Sequence, residues 1–475
     1  MNYGQFLNMI PEAGLVAVLI IIFLSDMISR GERRHAVMSR LTTVLFIAQT
    51  ILCFMSSPSE AFGGLYVSTA AAAAMKGILT AGSLIVIIMA QPWLARPDTV
   101  RREGEFYELL AATLLGMYMM MSSGSFLMFF LSLEMASVPL GCMVALDKYR
   151  KESAEGAAKF ILTATFSSGI MLYGISFIYG AMGTLYFDDI AEAITATPLT
   201  IIGLVFFFSG LAFKISLVPF HFWTADTYQG APTPVTGYLS IVSKGAAAFA
   251  LMTIMTKVFS SMVEYYEYML YIVIVLSITI ANLFAIRQKE LKRFMAFSSI
   301  SQAGYIMLAA VGSSSIGLAS LMYYVLVYVV ANMSVFTVIN VVETRGGGTT
   351  KMSCYNGFYQ SNPKLTFLMT IALFSLAGIP PFAGMFSKFF VFMAAAKTGS
   401  FFAYLVVFIA LVNTVVSLYY YLLIVKAMYI VKEDNPLPAF SSDGGTKLAL
   451  TLCTVGILAF GIVSYVYDYL VAAAY

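Results

Sequence analysis

The chain has 475 residues, of which 60% are hydrophobic and only 11% are charged, and its formal net charge at pH 7 is +3. Soluble domains carry about 25% charged residues, and a soluble fold could not hide this much apolar sequence from water. The small net charge and the lack of a basic run exclude nucleic acid as an expected partner. The composition therefore predicts a membrane protein.

Apolar stretches long enough to cross a bilayer recur along the whole chain. A crossing helix needs about 20 apolar residues. The first stretch has no small-residue cleavage site behind it, so we interpret it as a membrane helix rather than a signal peptide. The pattern predicts an all-α membrane protein of about fourteen helices, at 10–28, 41–57, 68–93, 106–122, 125–146, 158–182, 199–220, 232–259, 267–286, 294–312, 315–341, 365–396, 401–430 and 448–470.

The charge of the connecting loops predicts the orientation. Cytoplasmic loops are enriched in Lys and Arg. The odd-numbered loops carry most of these residues, whereas the even-numbered loops carry few, and the sixth contains Asp188, Asp189 and Glu192. Both termini are therefore expected outside the cytoplasm. The basic residues of the first, third, fifth and ninth loops are Arg30, Arg33, Arg34, Arg40, Arg96, Arg101, Arg102, Lys148, Arg150, Lys151, Arg287, Lys289, Lys292 and Arg293.

Cysteine and histidine usage predicts no metal or cofactor site in this chain. Its four cysteines lie far apart and form no C-x-x-C pair, and its two histidines are too few for haem pairs. The triple glycine at 346–348 is followed by no G-K-[ST], so we interpret it as a turn rather than a phosphate-binding loop. We therefore expect no redox site here.

Four charged residues inside the apolar stretches are the most informative, namely Glu134, Lys214, Lys244 and Lys388; Lys76 also lies inside the third stretch. A charge near the bilayer centre costs about 2.5–3.5 kcal/mol on insertion scales, and such residues usually face a bundle interior or a wet cavity. Burial favours the neutral form of a lysine, so a buried lysine can load and release a proton, and a nearby glutamate favours the charged form. The alternative is that these charges form structural ion pairs or extend to the interface.

Prolines predict that two of the helices are broken. Pro219 follows Lys214 by five residues, and Pro380 and Pro381 interrupt the long apolar run that contains Lys388. A proline inside a helix removes one backbone hydrogen bond. Irregular backbone at membrane depth is tolerated where it lines a cavity or is buried in protein. Two broken helices, each with a lysine, suggest a transporter built from repeated halves, although ordinary proline kinks are the simpler alternative.

Four strings resemble those of one family. The strongest, FKISLVPFHFWTADTYQGAPTPVT at 213–236, is close to F-K-x-S-x-V-P-F-H-x-W-x-P-D-x-Y-E-G-A-P-T-P-V-T, with departures at Ala225 and Gln229. The others are SLAGIPPFAGMFSKF at 375–389, LKRFMAFSSISQAGY at 291–305, and the segment from Glu155 through Lys159 to Gly180. These strings resemble subunit N of respiratory complex I, which is subunit 2 in mitochondria, and the likeness covers almost the whole chain.

This resemblance implies a fold and a set of site residues. It implies one membrane domain, 1–475, with N-terminal helices in 1–105, two inverted five-helix repeats in 106–259 and 267–430 that contain the broken helices, and a last helix at 448–470. It implies that the four buried charges form a proton pathway. It also places three secondary residues near that pathway, namely Glu155 and Lys159 on the cytoplasmic side and His221, which is either a relay or a structural donor.

The resemblance also implies a function. It is that of a proton-translocating membrane-arm subunit of NADH:quinone oxidoreductase in the bacterial inner membrane, beside sister antiporter-like subunits, small hydrophobic subunits and lipid. NAD, FMN, iron–sulfur clusters and quinone would then belong to partner subunits. The alternatives are a subunit of a multisubunit sodium/proton antiporter or membrane-bound hydrogenase, a structural assembly subunit, and a stand-alone transporter. Pro232-Thr233-Pro234 and lysine, rather than glutamate, at position 388 favour subunit N.

Overall fold

A computed structural model describes residues 3–29, 34–311, 314–433 and 437–475, so Arg30 and Arg33 of the first predicted loop lie outside the described residues. The structure is almost entirely helical. The helices of the first half are α1 Ile10–Ile28, α2 Arg34–Met55, α3 Ala70–Leu94, α4 Glu103–Met121, α5 Phe126–Val144, α6 Lys151–Met182, α7 Phe187–Ala193, α8 Pro198–Ile215, α9 Phe222–Gly230, α10 Thr233–Tyr238 and α11 Lys244–Lys257.

The second half continues in the same way. A π-helical turn, Leu239–Ser243, joins α10 to α11, so that Thr233–Lys257 is one continuous helix. The remaining helices are α12 Val263–Ala285, α13 Leu291–Met307, α14 Ser315–Arg345, α15 Phe358–Ser361, α16 Pro363–Ala377, α17 Ala383–Ala396, α18 Phe401–Tyr429, α19 Gly444–Ile462 and α20 Tyr465–Ala474.

The number of membrane crossings agrees with the prediction. Within the described residues, eleven helices are long and apolar enough to cross a bilayer. The shorter apolar helices α16 and α17 together match the predicted stretch 365–396, and α4 and α13 match the predicted stretches 106–122 and 294–312. The predicted all-α membrane fold of about fourteen helices, with two of them broken, is confirmed.

Helix ends and short elements depart from the prediction in detail. Helices α2 and α6 begin at Arg34 and Lys151, about two turns before the predicted starts, because the prediction marked only the apolar part of each helix and the helices continue into the polar residues before it. The predicted last helix is instead two helices, α19 and α20. A small hairpin of β1 Ser59–Ala61 and β2 Tyr66–Ser68 was not predicted.

Helix α14 forms the centre of the bundle. It is buried along nearly all of its length and packs against α3, α10, α16, α17, α19 and α20. A helix that is apolar on every side must be surrounded by protein or by lipid, and neighbouring helices surround α14. Helices α1, α2 and α18 lie at the periphery and expose many large apolar side chains, as lipid-facing helices do.

The packing partners of the two halves correspond. Helix α4 packs on α5 and contacts α11, just as α12 packs on α13 and contacts α18. Helix α6 packs on both parts of the first broken helix, α8 and α9, and α14 packs on both parts of the second, α16 and α17. This correspondence supports the division into repeats at 106–259 and 267–430, which stays a prediction.

Both breaks are built by the same local backbone structure. The residue after α8 is Ser216 and the residue after α16 is Gly378, and both adopt the left-handed conformation, with φ of +67° and +89°. The next backbone N–H groups then bond to carbonyls five residues back, Leu217 to Ala212 at 2.8 Å and Ile379 to Phe374 at 3.0 Å. This is the hydrogen-bond pattern of a Schellman helix end.

The cause of the breaks therefore differs from the prediction. Pro219 and Pro381 lie in the connections after the helices have ended, not inside the helices. The prediction that a proline inside each helix breaks it by removing a hydrogen bond was wrong in this detail, because the left-handed residue ends each helix before its proline. Freed backbone is satisfied locally, since the Trp223 indole Nε1 donates to the Phe213 carbonyl at 3.1 Å.

Candidate functional site

Lys214 lies in the last turn of α8 and is held by a serine of another helix. Its Nζ donates to Ser137 Oγ on α5 at 2.7 Å and lies 5.9 Å from the centre of the Phe160 ring. Glu134 precedes Ser137 by one turn on the same side of α5, is half-buried, and is close enough to act on Lys214 by Coulombic attraction. The structure thus places two of the predicted residues together.

Lys244 is the first residue after the π-helical turn. Its Nζ donates to Ser299 Oγ on α13 at 2.8 Å and lies 5.3 Å from the centre of the Tyr228 ring. Single π turns inside α-helices occur often at functional sites, because the extra residue shifts the side chains that follow. Here the residue that follows the π turn is Lys244, and its side chain extends from α11 of the first half to α13 of the second.

Lys388 lies one turn into α17, after the second break. Its Nζ donates to the Ala377 carbonyl at the end of α16, at 3.0 Å, and lies 5.0 Å from the centre of the Tyr305 ring. The lysine side chain packs against Gly378, where an added Cβ would lie 3.1 Å from Lys388 Cδ. The broken backbone therefore supplies both the acceptor and the space for this ammonium group.

The three lysines share neutral partners. Within the described part of the chain, none of them forms an ion pair. Lys76, by contrast, is equally buried and pairs with Glu12 at 2.6 Å. The structural ion-pair alternative therefore fits Lys76. The amines of Lys214, Lys244 and Lys388 instead contact hydroxyl groups, a carbonyl group and aromatic rings, which are neutral and can accept a hydrogen bond from the charged or the neutral amine.

Two small cavities lie along this line. Ser240, Ser299 and Lys244 line one, and Ser375, Ser387 and Lys388 line the other. Each cavity has a volume of about 10 Å³, which is room for about one water molecule. The walls are largely apolar, but each presents a lysine, two serines and at least one tyrosine, and these polar groups and this size fit a single water beside each lysine.

Glu155 and Lys159 belong to a charge cluster at the end of the bundle that carries the basic loops. Lys159 Nζ pairs with Glu155 and with Asp226 of α9, both at 2.6 Å. Asp226 also pairs with Arg293 of α13 at 2.6 Å. The sequence interpretation missed the roles of Asp226 and Arg293, although both stand in strings that carried the resemblance.

His221 lies in the connection between α8 and α9. Its ring packs on Phe222, with the ring centres 4.7 Å apart, and its buried Nδ1 makes no hydrogen bond of normal geometry within the described residues. It is close enough to Lys244 for a Coulombic interaction. This position leaves both predicted roles open.

A buried charge network at the same end of the bundle was not predicted. Glu343, at the end of α14, accepts from Arg150 at 2.9 Å and from the Thr233 hydroxyl, and lies 3.9 Å from the fully buried Lys292. Next to it, the Trp93 indole donates to Asp147 at 3.1 Å, and burial raises the pKa of that carboxyl. The network ties together helices from both halves.

Comparison with known proteins gives the family. The sequence model of the NADH:quinone oxidoreductase/Mrp antiporter transmembrane family matches residues 123–415. The chain is 56% identical over 470 residues to NADH-quinone oxidoreductase subunit N of Phocaeicola vulgatus, covering 99% of each chain. The chain belongs to the subunit N family. A second subunit N, from Azobacteroides pseudotrichonymphae, is 46% identical and covers 99% of this chain and 98% of that one.

Solved structures agree with this membership. A chain of respiratory complex I from Thermus thermophilus with bound aureothin matches with a TM-score of 0.80 and 29% identity, covering 95% of this chain and 97% of that chain. A chain of the Mrp complex from Dietzia matches with a TM-score of 0.84 at 19% identity, covering 100% of this chain and 97% of that one, which shows a shared fold. The predicted membership of the subunit N family is confirmed.

Proposed function

We propose that the chain carries protons across the bacterial cytoplasmic membrane as a membrane-arm subunit of NADH:quinone oxidoreductase, along Glu134, Lys214, Lys244 and Lys388. One observation carries this proposal. Three fully buried lysines are held by neutral groups next to a helix break or a π turn, and two of them have room for a water. A buried amine without a counter-ion can exist in both protonation states.

The first step depends on Glu134. Its carboxylate favours the protonated form of Lys214, so a change in the distance between them changes how firmly Lys214 holds its proton. Such a change would follow from electron transfer in partner subunits, which would hold NAD, FMN, iron–sulfur clusters and quinone. When the affinity of Lys214 for its proton falls, the proton moves to Lys244 and from there to Lys388.

We infer the orientation of the chain in the membrane from the charge of its loops. The end of the bundle with Glu155, Lys159, Asp226 and Arg293 is the end with the basic loops, which favours a cytoplasmic location for it. Proton uptake would then begin at this cluster, and both termini would lie outside. A protease that removes a tag after Tyr475 only from the outer side of sealed vesicles would agree with this orientation.

The decisive experiment replaces Lys214 in the intact complex. Lys214→Met keeps the length and apolar stem of the side chain but removes the charge. We expect proton translocation and quinone-linked electron transfer to fall together, with normal assembly. Lys257→Met serves as a matched control, because Lys257 forms an exposed pair with Asp188 at 2.6 Å and should be silent. Full translocation by Lys214→Met would refute the pathway.

Two further outcomes separate the alternatives. Loss of the assembled complex in Glu134→Ala, with no pumping defect in the complex that remains, would favour a structural assembly role. Sodium transport that persists when protons are buffered on both sides would favour an antiporter of the multisubunit type.

A further inference from the structure

Tyr328 stands between the two water-sized cavities. It lies near the middle of α14 and is 4% exposed. Its side chain lines the cavity of Lys244 and also the cavity of Lys388. Tyr328 is thus the one described residue that lines both of these cavities, and its side chain lies between them.

Among the residues that the structure describes, the Tyr328 hydroxyl is one of a few buried side-chain oxygens without a hydrogen bond of normal geometry. It lies near Ser299, but no hydrogen bond of normal geometry forms to it within the described residues. Nearby tyrosines of the same helix are paired, Tyr324 with Gln302 and Tyr323 with the Phe460 carbonyl at 2.6 Å. An unpaired buried hydroxyl is destabilising, and phenylalanine would fill the same space without that cost.

We propose that the Tyr328 hydroxyl relays the proton between Lys244 and Lys388, an inference that rests on the proposed function. A water in the first cavity receives the proton from the Lys244 ammonium and passes a proton to the Tyr328 oxygen. The Tyr328 O–H gives its own proton to a water in the second cavity, which protonates the Lys388 amine. The O–H bond that breaks is replaced by the one that forms, so Tyr328 stays neutral overall.

The free hydroxyl is what this role requires. A hydroxyl both donates and accepts, and its hydrogen rotates to suit either side. After each transfer the new hydrogen points back toward the Lys244 cavity, so the group must rotate before the next proton passes. A hydroxyl fixed by a strong protein hydrogen bond would resist that rotation more than one that makes no bond of normal geometry.

The test is Tyr328→Phe in the assembled complex, with Tyr323→Phe as the matched control. Both remove one hydroxyl from α14, but the hydroxyl of Tyr323 bonds to the Phe460 carbonyl and lines neither cavity. Since positioned proton-transfer groups contribute about 10²–10⁴-fold, coupled turnover should fall by about tenfold or more in Tyr328→Phe. The control should keep the wild-type rate, and both variants should assemble.

Two more variants make the result decisive. Tyr328→His restores a group that donates and accepts, and it should recover part of the turnover lost in Tyr328→Phe; no recovery would count against the relay. Lys388→Met tests the pathway itself. If Lys388→Met abolishes coupled turnover while Tyr328→Phe leaves it unchanged, the relay is refuted and the proposed function stands. If Lys388→Met leaves coupled turnover unchanged, the proposed proton pathway is refuted, and the relay, which depends on it, is refuted with it.

Discussion

Replacing Glu343 with Gln should destabilise the subunit, because this carboxylate compensates a fully buried cation. Lys292 is 0% exposed and lies 3.9 Å from Glu343, whereas Arg150 is 38% exposed and reaches water. Removing one partner of a buried pair costs about 3–5 kcal/mol. Glutamine keeps the hydrogen bond to Thr233, and Lys292 keeps the Ala231 carbonyl at 2.6 Å, so we expect a loss near the lower end, about 3 kcal/mol.

Asp188→Asn is the matched control for this prediction. Asp188 pairs with Lys257 at 2.6 Å, but the two side chains are 67% and 37% exposed. An exposed pair contributes about 0.2–1 kcal/mol, so the same loss of one negative charge should leave thermal unfolding nearly unchanged. The measurement is the thermal unfolding of the purified complex in detergent, monitored by the labelling of the Cys453 thiol, which is buried in the folded protein.

A double variant tests the cause. If the cost arises from an uncompensated Lys292, Glu343→Gln combined with Lys292→Met should be less destabilised than the sum of the single variants by about 0.5–3 kcal/mol. Strictly additive losses, or an Asp188→Asn variant as unstable as Glu343→Gln, would refute the reasoning.

The remaining predictions concern the lysine partners. Gly378→Ala should lower both coupled turnover and stability, because its Cβ would lie 3.1 Å from Lys388 Cδ and its φ is +89°. Gly399→Ala is the control, because its φ is +70° but open space surrounds it, so it should show only the conformational cost in stability. Activity assays and melting curves of the two variants, compared side by side, separate these effects. Ser299→Ala removes the acceptor for Lys244. A hydrogen bond to a charged group contributes about 1.5–3 kcal/mol, so proton translocation should fall by about tenfold or more while assembly is retained, and an unchanged rate would show that water replaces the hydroxyl.

The sequence was sufficient to predict the crossings and the buried charges. Apolar length sets each crossing, and a charge such as Lys214 inside one is visible because it costs so much there. The residues that hold the lysines were not visible, because Ser137 and Ser299 are serines among many in apolar helices and only the packing of separate helices selects them.

Two other features were beyond sequence reasoning for related reasons. The break after α8 depends on a left-handed Ser216, a conformation that glycine usually adopts, so the nearby proline gave the right region but the wrong cause. Tyr328 is one of 29 tyrosines, and only the positions of the two cavities distinguish it from the others.

The neutral surroundings of Lys244 and Lys388 also bear on how many protons the proposed pathway would hold at one time. Two unit charges 10 Å apart repel each other by about 1.7 kcal/mol at an effective dielectric constant of 20, and within the described residues no carboxylate pairs with either lysine to offset this. A proton on one of these two lysines therefore disfavours protonation of the other. On the proposed pathway we therefore expect protons to advance mostly one at a time, with one lysine losing its proton before the other gains the next.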